Sequence, residues 1–419
     1  MSAAGRRIPI PTLAVIVWLV LNIAGLIYAG ATRTDFSGVA IAADYQVYAG
    51  AGARALTGAP VYDLTPGRMT TNLTYRYHPA FLLPVAALIQ LPYAGQILVW
   101  YTLVAAGYIA GVLVWLRLLT RLGFTYWHLL PLFVLIAYDW IGNLSYGNVG
   151  PALVLLSGGL MWAVLTRRIA VVGALAAVIL VIKPQWCFPL LYALAIRDDR
   201  GFVRMVAAAV VGYLAVSAAF ALAVGVERGL TLLGEYVQFV TTLGARYPWR
   251  GTEVMFDTYQ NSIYQTWLRY GADSAFAAIG TAIAQIGLAA AWIVMLWHAR
   301  ATVSPGRALR VTLGGYILLM CLLPQLEEGL LLGIVAAALW TVYAPSRVYV
   351  GYALLQFALL AGIATGIYAL RLPAVIPVNL IMMLILFYGV WVGTQNEAPQ
   401  SDPLFKAVNA DARAIPERK

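Results

Sequence analysis

Residues 205–224 read MVAAAVVGYLAVSAAFALAV, a run of membrane length without a charged side chain. An α-helix needs about 20 apolar residues to cross the hydrocarbon core of a bilayer. Similar runs recur along the 419 residues, of which 62% are hydrophobic and 11% charged. Backbone groups in lipid must bond within their own segment, and the alternation typical of a membrane β-barrel does not appear. The sequence therefore predicts an all-α, polytopic integral membrane protein.

About 12 transmembrane helices are predicted from these runs. Two of the predicted spans, 168–183 and 185–196, are short and are separated at Lys183-Pro184. The apolar segment 79–92 is too short to span comfortably, so it is predicted to be a re-entrant or interfacial helix. The first run has no small-residue cleavage pattern after it and is expected to be a retained helix rather than a signal peptide. The predicted spans are 8–30, 97–116, 125–143, 147–166, 168–183, 185–196, 203–225, 275–298, 308–324, 327–344, 347–369 and 372–393.

Basic residues are unevenly divided between the predicted loops. With the N-terminus in the cytoplasm, 17 Lys and Arg fall on the cytoplasmic side and nine on the other. Cytoplasmic loops of membrane proteins carry the excess of basic residues. The count predicts a cell-membrane protein with cytoplasmic N- and C-termini and with loop 31–78 on the outer face, and it supports a segment 79–92 that does not cross.

The chain is expected to form one transmembrane catalytic domain over residues 1–393, with outer-face loops at 31–78 and 226–274. The polar residues 394–419 are expected to form a cytoplasmic, disordered tail. Within the first loop, an amphipathic helix on the outer membrane surface is predicted from apolar residues at near-helical spacing, namely Tyr45, Val47, Tyr48, Ala51, Ala55 and Leu56.

Composition argues against several classes of function. The net charge of +10 comes mostly from Arg residues scattered at helix ends, where they set topology and meet anionic headgroups, so membrane lipids rather than nucleic acid are the expected partners. Cys187 and Cys321 lie in apolar stretches and indicate no disulfide framework. The sequence shows no metal-ligand cluster, Walker loop or GxGxxG fingerprint, and neither a metal nor a cofactor is predicted.

Loop 31–78 holds the first group of candidate site residues. Asp44 would lie at the start of the amphipathic helix, either as a cap favoured by the helix dipole or as a chemical group. Arg76 is either an interfacial anchor or a cation that binds substrate, and His78 is either a polar residue at a helix start or a substrate ligand. The same loop contributes four aromatic candidates for substrate binding, which are Tyr45, Tyr48, Tyr62 and Tyr75.

Ionisable groups at membrane depth are energetically expensive, so each is a candidate site residue. Lys183, the one lysine in a predicted membrane segment, would either bind a phosphate anion or extend to the outer interface. The loop 226–274 mixes aromatic and polar residues as sugar sites do, although a solvated loop is the alternative. These outer regions supply the phosphate-binding candidates Arg246 and Arg250 and the substrate-binding candidates Asn148, Gln185, Gln260, Asn261, Glu327 and Glu328.

One carboxylate with scattered cations and no metal suits glycosyl transfer from a lipid phosphate. A phosphate leaving group needs no general acid, so a single base for the acceptor hydroxyl is sufficient, with cations holding the phosphate. Most glycoside hydrolases need two carboxylates. A transporter or flippase for a lipid-linked or small polar solute is the alternative function, but the internal repeats common in transporters are not evident.

Several short motifs occur in a fixed order along the chain. Residues 44–48 (DYQVY), then 53–63, then 75–79 (YRYHP), resemble the pattern D-x-x-V-Y … A-L-x-G-x-x-Y-D … F-x-Y-P-P. Residues 146–148 resemble Y-G-Q-x-N, and residues 183–185 and 259–262 resemble K-x-x-P and N-Q-S. These patterns belong to glycosyltransferase family 87, the GT-C polyprenol-phosphate-mannose-dependent α-1,2-mannosyltransferases, and the resemblance extends from about residue 35 to 345.

The resemblance implies a GT-C fold and an inverting transfer of a hexose, with mannose favoured, from a polyprenyl phosphate to a lipid-linked or glycan acceptor on the outer face. Asp44 matches the catalytic base of the family. Lys183, Arg76 and one of Arg246 or Arg250 would hold the donor phosphate. Two departures stand out: His78 occupies a position where the family has Pro, and Glu327-Glu328 stand where its late motif has Trp and a His pair.

Overall fold

The described part of the chain is built from helices and the turns between them. The computed structural model describes residues 42–62, 75–120, 147–246, 263–269, 271–302 and 305–322, together with isolated positions between 384 and 391. Within these ranges no β-strand occurs, so the predicted all-α class is confirmed for them. The helices, in chain order, are α1 (Ala43–Thr57), α2 (Leu82–Leu88), α3 (Tyr93–Thr120), α4 (Gly150–Leu165), α5 (Ile169–Ile182), α6 (Leu191–Ala195), α7 (Asp199–Val224), α8 (Val226–Arg246), α9 (Ile263–Arg269), α10 (Ser274–Thr302) and α11 (Pro305–Leu322).

Three helices in the described ranges are long and apolar enough to cross a membrane. They are Tyr93–Leu119 in α3, Asp199–Val224, which is the whole of α7, and Ala275–Ala301 in α10. Large apolar side chains remain exposed along α7 and α10, as expected of surfaces that face lipid, among them Val211, Leu222, Ile283, Ile286 and Trp297. These features indicate a membrane protein, while the total of about 12 spans and the GT-C fold stay predictions.

The predicted spans in the middle of the chain correspond to shorter helices. Helix α4 has 16 residues and α5 has 14, so at about 1.5 Å per residue each is shorter than the hydrocarbon core. Helix α5 ends where predicted, because the residue before a proline is disfavoured in the α conformation. Lys183 is accordingly extended, with φ −144° and ψ 95°, and the 3-10 turn Pro184–Leu190 follows it. Predicted spans 8–30, 125–143, 327–344 and 347–369 lie outside the described residues.

Two segments differ in part from what the sequence predicts. The predicted outer-face loop 226–274 begins with a helix, since α8 covers its first 21 residues. Leu232, Tyr236 and Phe239 recur at helical spacing and pack inward, which explains the helix. Helix α1 confirms that this segment is helical, and its position on the outer membrane surface stays a prediction. Leu56 is 57% exposed and is not part of the buried face of α1.

Glycines allow the helices to approach closely. A Cβ added to Gly111 of α3 would lie 2.6 Å from the Val154 carbonyl carbon of α4, and one added to Gly212 of α7 would lie 2.6 Å from the Gly173 oxygen of α5. Small residues at such contacts are typical of membrane helix pairs. The close packing of α3 on α4 matters for function, since the chain just before α4 carries Asn148.

The two ends of the α4–α5–α7 group differ in chemistry. At one end, Arg167 pairs with Asp198 at 3.1 Å and Arg300 pairs with Asp199 at 2.8 Å. Asn148 precedes the opposite end of α4, and Lys183 follows the opposite end of α5. The basic end and the candidate site therefore lie at opposite ends of these short helices.

Candidate functional site

A carboxylate and an amide meet between α1 and the start of α4. The Asn148 Nδ2 donates to Asp44 Oδ2 at 2.7 Å, although the two residues are 104 positions apart in the chain. The Gly150 backbone N–H donates to Asn148 Oδ1 at 2.6 Å, which fixes the amide so that its NH₂ faces Asp44. Asp44 is thus more than a residue in the first turn of α1, since its carboxylate is oriented by a second element.

Gly147 allows these two elements to meet. Its φ is +67°, a left-handed conformation that favours glycine, and a Cβ there would lie 3.1 Å from the Tyr45 Cβ. The Gly147 carbonyl accepts a hydrogen bond of 2.8 Å from the Trp100 indole of α3. The turn before α4 is therefore held against both α1 and α3.

Three of the candidate tyrosines are buried and hydrogen-bonded within the protein. Tyr45 donates to Gln96 Oε1 at 2.8 Å, and Tyr62 donates to the Tyr77 carbonyl at 2.6 Å. Tyr75 donates to the His78 carbonyl at 2.9 Å. All three rings are buried, so the structure places these phenols in contacts within the protein that shape the site.

Tyr48 and Tyr77 connect α1 with the segment Tyr75–His78. Their hydroxyl oxygens lie 3.1 Å apart, and the rings are edge to face with centroids 5.3 Å apart. The Tyr48 hydroxyl is also bonded to the backbone of Val149, and burial raises its pKa well above the ordinary value, so the phenol remains neutral. Tyr48 thereby joins the Asp44–Asn148 pair to Tyr77.

His78 is buried between α7 and α8, with 1% of its surface exposed. Its Nδ1 accepts from the Ala80 N–H at 3.2 Å and caps the 3-10 turn Pro79–Phe81. A neutral ring that accepts at Nδ1 carries its proton on Nε2, which lies 3.3 Å from Ser217 Oγ. The structure thus uses both ring nitrogens of His78 within the protein and favours a helix-start role over a substrate ligand.

Acid pH is expected to destabilise the protein through His78. Burial lowers the pKa of His78 from its ordinary 6.5 to about 4. At a pH between these two values, His78 is protonated in the unfolded chain but neutral in the folded one. This contribution to stability is fully present above about pH 6.5, is lost as the pH falls through about 4, and amounts to about 3 kcal/mol. Thermal unfolding of wild type and His78→Asn at pH 7.5 and pH 4.5 measures it, because Asn keeps an acceptor for Ala80 without titrating. An equal loss of stability in both proteins would contradict the prediction.

Lys183 lies close to the segment Tyr75–His78. The His78 N–H donates to the Val181 carbonyl at 3.2 Å, which holds the segment Tyr75–His78 against the end of α5. Lys183 is buried, with 7% of its surface exposed, and its Nζ lies over the Tyr77 ring, 6.0 Å from the centroid. The structure therefore brings together a carboxylate, an amide and a cation through the Tyr48–Tyr77 contact.

The structure describes the remaining candidate site residues in less detail. Arg76 and Gln185 are half-buried neighbours of Tyr77 and Lys183 in sequence. Arg246 ends α8, and its side chain is outside the described part of the structure. Among the described residues, no group of three or more His, Cys, Asp or Glu side chains could hold a metal ion. The candidates that lie outside the described residues altogether are Arg250, Gln260, Asn261, Glu327 and Glu328.

Sequence reasoning missed several residues that organise the site. Tyr77 was not singled out among the tyrosines, although it contacts both Tyr48 and Lys183. Gln96 and Ser217 lie on apolar helices, where a lone polar residue is a signal that could have identified them. Their partners, Tyr45 and His78, are 51 and 139 positions away, so the pairings themselves depend on the fold.

Comparison with known proteins identifies the family. The family model described as glycosyltransferase family 87 matches residues 75–324, which is more than half of the chain and includes Tyr77, Asn148 and Lys183. No curated protein and no solved structure matches the chain. Together with the apolar helices, the match shows that the chain belongs to glycosyltransferase family 87 and is a membrane glycosyltransferase.

Proposed function

We propose that the chain transfers a hexose, with mannose favoured, from a polyprenyl phosphate to a hydroxyl group of a lipid-linked or glycan acceptor. The Asp44–Asn148 pair carries the proposal, because it sets one oriented carboxylate at the same end of the helices as Lys183. A base on one side and a phosphate-binding cation on the other are the two groups that this transfer needs.

In the proposed reaction, the acceptor oxygen attacks the anomeric carbon of the donor. The bond from that carbon to the phosphate oxygen breaks, and the acceptor proton passes to Asp44. The leaving polyprenyl phosphate keeps the electron pair and is stabilised by Lys183, with Arg76 and one of Arg246 or Arg250 as further phosphate ligands. Direct attack inverts the donor's β linkage into an α linkage in the product.

The outer face of the cell membrane is the proposed location of the site. The basic residues predicted to be cytoplasmic include Arg167 and Arg300, which form ion pairs at the opposite end of the helix group from Asn148 and Lys183. Nucleotide sugars are absent outside the cytoplasm, so a lipid-linked donor suits a site on that face.

The test is sugar transfer by the purified protein in nanodiscs. The protein receives a panel of radiolabelled polyprenyl-phosphate sugars, mannose first, and a lipid extract of its source membrane. Label in a new glycolipid identifies the donor and supports the proposal. The contrary result has two parts: monodisperse protein uses no donor of the panel, and the protein moves labelled lipid across the bilayer of proteoliposomes. In that case the transporter alternative replaces the proposal.

Lys183→Gln is expected to weaken use of the donor. Removing the cation from the phosphate should raise the KM for the donor about tenfold or more, which corresponds to about 1.4 kcal/mol. In Lys183→Arg, which keeps a positive charge, the KM for the donor should rise less. Steady-state kinetics in nanodiscs measures both parameters. Arg167→Gln is the matched control, since it removes a cation at the opposite end of α4. An unchanged KM in Lys183→Gln would remove Lys183 from the phosphate site.

A further inference from the structure

Tyr77 differs from the tyrosines around it in exposure. Tyr48 and Tyr75 are fully enclosed, whereas Tyr77 is only half-buried. Its backbone is nevertheless held firmly, because the carbonyl accepts from the Tyr62 hydroxyl at 2.6 Å and the next residue, His78, bonds to Val181 of α5 at 3.2 Å. A rigidly held aromatic ring with an exposed part is suited to contact a substrate.

Tyr77 lies between two side chains of the site, Tyr48 and Lys183. Its hydroxyl is 3.1 Å from that of Tyr48, which is one helical turn after Asp44 on the same face of α1. On the other side, Lys183 Nζ lies over the ring at 6.0 Å from the centroid. Tyr77 therefore contacts the helix that carries Asp44 through Tyr48, and it contacts the proposed phosphate-binding cation directly.

The geometry of an inverting transfer then determines what faces this ring. The attacking oxygen, the anomeric carbon and the leaving oxygen lie in line, with the first near the base and the last near the cation. A residue that contacts both the helix of the base and the cation is well placed to lie beside the carbon between them. In the transition state that carbon and the ring oxygen of the sugar carry oxocarbenium-like positive charge.

We propose that Tyr77 is a catalytic residue whose ring contacts the donor sugar at the anomeric carbon and stabilises the positive charge that develops there. The electron-rich face of an aromatic ring attracts a cation, and the interaction is stronger in the transition state than in the uncharged ground state, so it raises kcat rather than lowering KM. No bond to Tyr77 forms or breaks. The inference rests on the proposed function, and it adds a specific residue and a specific atom of the substrate.

The test replaces Tyr77 with phenylalanine and then with mono-, di- and trifluorophenylalanine by nonsense suppression. Fluorine withdraws electron density from the ring face but hardly changes its size. We expect Tyr77→Phe to keep at least about a fifth of wild-type kcat, and kcat to fall stepwise with each fluorine to about a tenth of the Phe value. The KM for the donor should stay within about threefold across the series.

The fluorinated series at Phe276 is the control, because that ring lies on α10, is 54% exposed, packs edge to face with Trp267 and has no part in the proposed site. It should show no stepwise trend. A flat series at Tyr77, in protein whose wild type transfers sugar and whose Asp44→Asn variant does not, would overturn this inference alone. Absence of transfer by wild type across the donor panel would overturn the proposed function and this inference with it.

Discussion

Asp44→Asn is expected to reduce kcat for sugar transfer by about 100- to 10,000-fold, the range that a positioned general base contributes. The variant removes the proton acceptor while keeping the size and shape of the side chain. Its fold should persist, because an amide oxygen at position 44 still accepts from Asn148 Nδ2, the bond that measures 2.7 Å in the native chain. Single-turnover kinetics with saturating donor and acceptor measures the effect on the chemical step.

Two variants make this result specific. Glu227→Gln neutralises an exposed carboxylate in the first turn of α8 and should leave kcat unchanged. Asn148→Ala should lower kcat less than Asp44→Asn does, since it releases the carboxylate from its orientation but leaves the base present. Turnover of Asp44→Asn within about threefold of wild type would show that another group removes the acceptor proton.

Gly111→Ala is expected to destabilise the protein severely, although it adds a single methyl group. The new Cβ would overlap the Leu155 backbone nitrogen and lie 2.6 Å from the Val154 carbonyl carbon. Because both contacts are backbone atoms of α4, no side-chain rotation relieves them, and α3 and α4 must separate. Overpacking of this kind costs about 1–3 kcal/mol or more, a large part of the stability of a typical protein.

Thermal unfolding in detergent, with the yield of monodisperse protein, measures this effect. Gly95→Ala is the control on the same helix, because its Cβ would meet only the Leu91 Cβ at an ordinary 3.6 Å. That variant should unfold at or slightly above the wild-type temperature, since alanine has the higher helix propensity. Equal unfolding temperatures for the Gly111 and Gly95 variants would mean that α3 and α4 do not pack as described.

Much of the local structure is determined by the chain itself. Long uncharged runs predict helices because lipid offers backbone groups no other partner, and the helices α3, α7 and α10 confirm three of them. The end of α5 at Lys183-Pro184 follows from the steric restriction on a residue before proline. The amphipathic helix after the first apolar run was likewise predictable from spacing alone.

Helix α8 and the exposed Leu56 differ from the interpretation of the local sequence. Helix α8 carries charged and polar residues among its apolar ones, which favours a loop, but Leu232, Tyr236 and Phe239 recur at helical spacing and pack on one side. Leu56 fits the apolar spacing of α1 yet is 57% exposed, whereas Tyr48 and Ala51 of the same helix are buried. Which residues of a helix are buried depends on which helix surfaces pack against each other.

The helical class, the ends of several helices and a small set of chemically capable residues are predictable from the amino-acid sequence, because these properties depend on neighbours within one or two turns. Three contacts follow instead from the packing of the helices: Asn148 orients Asp44, Ser217 lies 3.3 Å from His78 Nε2, and Tyr77 contacts both Tyr48 and Lys183. These relations join residues that are up to about 140 positions apart. Contacts at that separation form only when packing brings whole helices together, and no local pattern records them.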